Sequence, residues 1–227
     1  MTQDKKHFKF LLLLAMIYIL AIVTPAVVAY KLVEIGPILT NAGTYVFPIS
    51  YLCGDLLTEV YGYNVARTLI WSALPCSLFY GLLVVGLIHL PSPSFWHYQA
   101  DYQEVLGRAF RLLLGGSIGI LAGSFCNSYA IAKWKVLLKG RYFWLRSIGS
   151  TLIGDLVELL IVTGVAYVGQ FPFHMIVRMT TTVYLLRIAY AIIVAYPAQL
   201  IADFLKRSEK TDVFDYRTNF NPFKIKL

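Results

Sequence analysis

Four acidic side chains stand in the middle of long apolar stretches: Asp55, Glu59, Asp155 and Glu158. The first two are spaced i, i+4 and the last two i, i+3, so each pair lies on one face of a helix. An acid at the centre of a membrane helix costs roughly 2.5–3.5 kcal/mol, and four facing lipid would cost on the order of 10 kcal/mol. They must therefore point inward, towards water, a cation or one another. Candidate cationic partners are Arg187, Lys31 at the end of the first apolar stretch, and Arg108 with Arg111. Two uses fit these types and spacings. The acids either form interhelical ion pairs that only fix packing, or line a polar cavity. Two carboxylate pairs facing each other suit a ligand rich in N–H donors, or a proton-coupling site. Tyr45, Phe47, Tyr51, Phe125 and Tyr129 fall near the acidic helices, where they either pack or stack on a planar heterocycle.

The elements that must position these groups follow from composition. The 227 residues are 58% hydrophobic and only 14% charged. A soluble domain carries roughly a quarter charged residues, so the charge here is too sparse to clothe a water-facing surface. Soluble enzymes, disordered tails, collagens and disulfide scaffolds are excluded together. Six stretches are long enough to cross a bilayer, near Phe10–Tyr30, Gly43–Tyr61, Thr68–Leu90, Val105–Ala132, Ser147–Gly169 and His174–Phe204. Helices are the economical reading, because each span satisfies its own backbone in lipid. The fold class is thus an all-α polytopic membrane protein of six helices, one domain over 1–227 with a tail at 205–227. Lys5, Lys6 and Lys9 before the first stretch, with Val27-Val28-Ala29 near its end as a candidate cleavage site, resemble a signal peptide. The run exceeds a signal core and reads as a retained helix.

Charge sets orientation. Fifteen of the 20 Lys and Arg fall before the first span, between the second and third, between the fourth and fifth, and after the sixth. Both termini are accordingly expected in the cytoplasm. Gly54-Asp55-Leu56 and Gly154-Asp155-Leu156 recur one hundred residues apart, each in the middle helix of a three-helix half. Odd halves run in opposite senses, so the pattern predicts a 3+3 inverted repeat, a transporter signature with its site at the repeat interface. Gly115, Gly119 and Gly123 form G-x-x-x-G steps that permit close packing inside the bundle or in a homodimer. Pro25, Pro48, Pro75 and Pro197 permit kinks. Cys53, Cys76 and Cys126 read as small buried hydrophobes, and the four His have no ligand spacing. No Walker loop, G-x-S-x-G or H-E-x-x-H occurs, so neither a cofactor nor an enzyme is expected.

The run FPISYLCGDLLTEVYGYNVAR, Phe47 to Arg67, resembles the second-helix signature of the queuosine precursor transporter family, also called the vitamin uptake transporter family. WLRSIGSTLIGDLVELLIV (Trp144 to Val162) is similar to its fifth-helix segment. Lys31, YLLRIAYAIIVAYP (Tyr184 to Pro197) and the tail DVFDYRTNFNPF (Asp212 to Phe223) match too. Asp155 stands where many members carry Asn or Gln, and Arg187 where Lys is common. The resemblance implies six helices and uptake of 7-deazaguanine bases (7-cyano-7-deazaguanine, 7-aminomethyl-7-deazaguanine or queuine) across the bacterial inner membrane, for queuosine modification of tRNA. Its implied partners are the bilayer and a purine-like solute, with no direct contact to nucleic acid and no ATPase. Such a base offers an amine and an adjacent ring N–H that a carboxylate receives in bidentate fashion. On this reading Glu158 or Asp155 meets the amine edge, Asp55 and Glu59 stand opposite, Asn127 or Arg187 meets the carbonyl, and Tyr51 and Phe47 supply aromatic faces. Competing expectations are a substrate-binding subunit of an energy-coupling factor importer, an intramembrane enzyme and a structural membrane protein.

Overall fold

A computed structural model describes residues 8–28, 31–36, 38–167 and 172–224. Helix α1 (Leu11–Val28) leads into an antiparallel hairpin of β1 (Leu32–Ile35) and β2 (Ile38–Asn41), with Leu32 opposite Asn41 and Ile35 opposite Ile38. Gly36 takes φ +58° at the turn, a conformation glycine adopts without a Cβ clash. Then come α2 (Gly43–Val46), α3 (Pro48–Tyr61), α4 (Tyr63–Ile88), α5 (Gln99–Leu137), α6 (Phe143–Tyr167) and α7 (Phe173–Glu209).

The architecture is helical, with five departures from the spans read in the sequence. The all-α expectation omitted the hairpin. The second span, expected as one helix over 43–61, is split into α2 and α3, with Pro48 opening α3. Pro lacks an N–H, and the first turn of a helix has no use for one. The third helix begins at Tyr63 rather than near Thr68, because Gly62 (φ +85°) turns the chain at once and the polar start of α4 finds partners in the tail. Helix α5 extends past 105–132 at both ends, and α7 runs on to Glu209, so part of the expected tail is helix. The ends of the first and fifth expected spans, and Lys5, Lys6 and Lys226, lie outside the described residues, as do the side chains of Arg108 and Arg111.

Helices α4 and α7 are each long and apolar enough to cross a membrane. At about 1.5 Å per residue, the 26 residues of α4 extend about 39 Å, against about 30 Å of hydrocarbon. Large apolar side chains are exposed on outer faces throughout: Leu12, Met16 and Leu20 on α1, Phe79 and Leu83 on α4, Leu160 on α6, Ile193 and Leu200 on α7. Asp55, Glu59, Lys135, Arg146, Asp155 and Glu158 are buried. Apolar outside and ionic inside is the inverse of a water-soluble domain, and it is what lipid requires. The inner apolar seam is formed by Tyr18 and Ile22 of α1, Leu56, Leu57 and Val60 of α3, Ile131 of α5, and Ala198 and Ala202 of α7.

The chain alternates between two ends of the bundle. At one end, Glu209 of α7 accepts from the backbone N–H of Lys9 (3.0 Å) and Phe10 (2.6 Å) ahead of α1, and from the Tyr61 hydroxyl at the close of α3. The start of α4, the end of α5 and the start of α6 meet at the same end, with Arg67, Lys135, Arg146 and Lys206 among them. At the other, Gln99 Nε2 donates to Ile88 O, joining α5 to α4.

Candidate functional site

Part-way along α7, Arg187 faces two carboxylates of α6. Its Nη1 lies 2.9 Å from Asp155 Oδ1 and 3.3 Å from Glu158 Oε1. Its guanidinium carbon stands 4.3 Å from the centroid of the Phe47 ring, a cation–π contact that offsets part of the lost hydration. The Tyr51 hydroxyl donates to Glu158 Oε2 at 3.1 Å, and Phe47 meets the Tyr51 ring edge-on. Both aromatics come from the Pro48 bend, which aims them at α6 and α7.

One turn along α3 from Tyr51, Asp55 is fully buried and ringed by neutral donors. Asn127 Nδ2 of α5 donates at 2.7 Å, the Ser147 hydroxyl donates to Oδ2, and the Thr151 hydroxyl stands at 3.5 Å. Among the described residues Asp55 has no cationic partner. A narrow cleft between α3, α6 and α7 is lined by Asp55 and Arg187, with Tyr51, Ser147, Thr151 and Tyr190. Two buried polar atoms of this region are without a partner: the acceptor Asn127 Oδ1 and the donor Arg187 Nε. An orphaned buried donor or acceptor costs on the order of 1–3 kcal/mol, which a ligand carrying the complementary group would recover. The region holds three carboxylates and one guanidinium, an excess negative charge suited to a proton or to an N–H-rich ligand.

Glycine brings the helices close enough for this. A Cβ on Gly123 of α5 would fall 2.5 Å from the Tyr51 hydroxyl oxygen and 2.7 Å from Gly154 O. One on Gly154 of α6 would fall 2.7 Å from the Tyr51 ring and 2.8 Å from Gly123 O. The Gly119–Gly123 step therefore packs inside the bundle, against α6.

Glu59 belongs elsewhere. Its carboxylate is gripped by Arg146 at both oxygens (2.7 and 3.0 Å) and by Lys206 Nζ at 2.5 Å, with Lys135 Nζ at 3.9 Å. Four residues advance a helix about 6 Å, enough for Asp55 and Glu59 to share a face and serve different clusters. Asp212 of the tail bridges Lys135 (2.5 Å) and Lys206 (3.1 Å). Burial works against the ionised Asp212, but the hydrogen bond and charge of Lys135, with Lys206, outweigh it and hold the carboxyl below its ordinary range. Glu209 is held low in the same sense: the amides of Phe10 and Lys9 and the Tyr61 hydroxyl overcome its burial.

The structure thus divides the residues anticipated from sequence. Phe47, Tyr51, Asp55, Asn127, Asp155, Glu158 and Arg187 gather in one region, and Arg187 is the cation that meets the acids of α6. The arrangement with Glu59 beside Asp55 across from α6 is not formed. Lys31 is exposed ahead of β1, Tyr45 and Tyr129 are exposed, and Phe125 packs on Trp71. Sequence reasoning missed Ser147 and Thr151, the cations Arg146, Lys135 and Lys206, and Asp212. A signal existed for the first two, since Ser147, Thr151, Asp155 and Glu158 are spaced as one polar stripe along α6.

An inside-out helical bundle with a polar cleft between its helices is the build of an integral membrane protein, and comparison with known proteins supplies the transporter class. Residues 41–202 match the family described as "putative vitamin uptake transporter", and the chain belongs to that family. A curated relative from Bacillus subtilis (strain 168), described as "probable queuosine precursor transporter", is 24% identical over 164 residues, covering 72% of each chain. No solved structure matches.

Proposed function

We propose that this protein is a multi-pass transporter of the bacterial inner membrane that imports 7-deazaguanine bases, the queuosine precursors. Six helices would cross the bilayer as two inverted three-helix halves with both termini cytoplasmic. Supporting this, the middle helices α3 and α6 carry the two Gly-Asp-Leu segments and run in opposite senses, and the charged helix ends collect on one side.

One observation carries the substrate reading: Asp55, a carboxylate without a cation among the described residues, shares a cleft with Arg187, whose Nε is unpaired. A 7-deazaguanine presents its amine and ring N–H on one edge, which Asp55 can accept, and a carbonyl beside them, which Arg187 can serve. Tyr51 and Tyr190 offer aromatic surface for its flat face. Asp155 and Glu158 then act through Arg187 by holding it in place. This moves the amine-reading role from the α6 acids to Asp55, the acid left without a cation.

The test is uptake of labelled 7-cyano-7-deazaguanine and 7-aminomethyl-7-deazaguanine by cells unable to make them, alongside thermal shifts of purified protein. Asp55→Asn keeps shape and its hydroxyl neighbours but loses an anionic acceptor. Uptake should fall at least about tenfold, the value of one charge-assisted hydrogen bond, with the fold retained. Wild-type uptake by Asp55→Asn would overturn the assignment, and no response to any 7-deazaguanine would overturn the substrate class.

A further inference from the structure

Beyond the cleft, residues 211–224 leave α7 and cross over the bundle end where Glu59 lies. They have no regular secondary structure, so tertiary contacts alone hold them. Val213 N donates to Val60 O and Lys135 Nζ to Val213 O, while Asp215 accepts from the N–H of Tyr63. Arg67 Nη1 donates to the carbonyls of Asn219 (2.9 Å) and Asn221 (3.0 Å), and Trp71 Nε1 to that of Pro222 (2.7 Å). The strap thus starts on the second three-helix half and lands on α3 and α4 of the first.

Beneath it, the Glu59 cluster spans the same divide. The first half supplies one carboxylate, and the second supplies Arg146, Lys135 and Lys206. The side chains of Glu59 and Arg146 are 0% exposed, whereas that of Asp212, which bridges Lys135 and Lys206, is 42% exposed. A seam of this kind suits reversible opening. Ions at a bundle end regain hydration when parted, while parting an apolar seam exposes hydrocarbon to water.

We infer that the strap Asp212–Phe223 and the Glu59 cluster form a latch that closes this end of the bundle and lets go once in each transport cycle. The inference rests on the transport reading but not on which base is carried. Ala198 of α7 lies between the Arg187 level and this end, is 1% exposed and lines the cleft, so a cysteine there reports access from this side.

The experiment places a single cysteine at Ala198 in a full-length background with Cys53, Cys76 and Cys126 replaced. An impermeant maleimide is applied to membrane vesicles of each orientation. Arg67→Lys keeps the charge but lacks the planar guanidinium whose Nη1 reaches both strap carbonyls while Nη2 is held by Asn64, and Asp212→Asn keeps volume but loses the ion bridge. Each should accelerate labelling from the latch side by about tenfold or more, the effect of one charge-assisted hydrogen bond on a two-state equilibrium, without accelerating it from the other side. Gel-filtration profiles and melting temperatures confirm folding. Unchanged labelling with both variants folded, or equal acceleration from both sides, overturns the latch. Lost stability without a side-specific change also overturns it. Transport failure with side-specific labelling intact would count against the substrate reading alone.

Discussion

Arg187 offers the most direct test of the ionic interior. It meets Asp155 at 2.9 Å and Glu158 at 3.3 Å and is over nine-tenths buried, so Arg187→Gln leaves two carboxylates facing each other without a counter-charge. Removing one partner of a buried pair costs about 3–5 kcal/mol, mostly from stranding the other charge. For a chain of this size about 2–4 °C of melting temperature corresponds to each kcal/mol, which gives a fall of about 6–20 °C. The double variant Arg187→Gln with Asp155→Asn removes one stranded charge and should recover at least about half of that loss. Asp155→Asn alone leaves Arg187 with Glu158 and should cost less than Arg187→Gln. A double-mutant cycle by thermal unfolding in detergent reads the coupling. Additive effects of the two substitutions, or a fall under about 2 °C for Arg187→Gln, would refute the reasoning that these charges stabilise one another.

Two further outcomes follow from packing and charge. Gly123→Ala should destabilise by about 1–3 kcal/mol and displace Tyr51 from Glu158, whereas Gly86→Ala, with nothing within 4 Å of the new Cβ, should be neutral or stabilising; paired melting curves check this. Docking of the strap and of the α1 entry should weaken in acid. Asp212 and Glu209 are held below their ordinary values of 3.8 and 4.5, so their contribution is fully present above those values and lost as pH falls through the lower folded-state ones. Proteolysis near the carboxyl end should accordingly be flat from about pH 7 to 5 and rise below about pH 4, more weakly in Asp212→Asn.

Much of this was legible before any fold was known. Apolar runs at helical length and the sparse charge predict a membrane helix bundle, and the cost of placing Asp55, Glu59, Asp155 and Glu158 in such runs marks them as inward-facing. Local periodicity carries that information because lipid tolerates few alternatives to a helix. Partner choice was not legible. Glu59 lies one turn from Asp55, yet it binds cations from α5, α6 and α7, residues 76 to 147 positions away. Asp155 and Glu158 take Arg187, while Asp55 takes no cation among the described residues. The early start of α4 was equally hidden, because the tail that receives Arg67 and Trp71 joins it only in three dimensions. Sequence sets which groups are too costly to face lipid, since that cost depends on residue type and depth alone. Tertiary structure decides which of them neutralise one another and which one, Asp55, is held by neutral donors alone among the described residues, since charge compensation acts over a few ångströms between helices far apart along the chain.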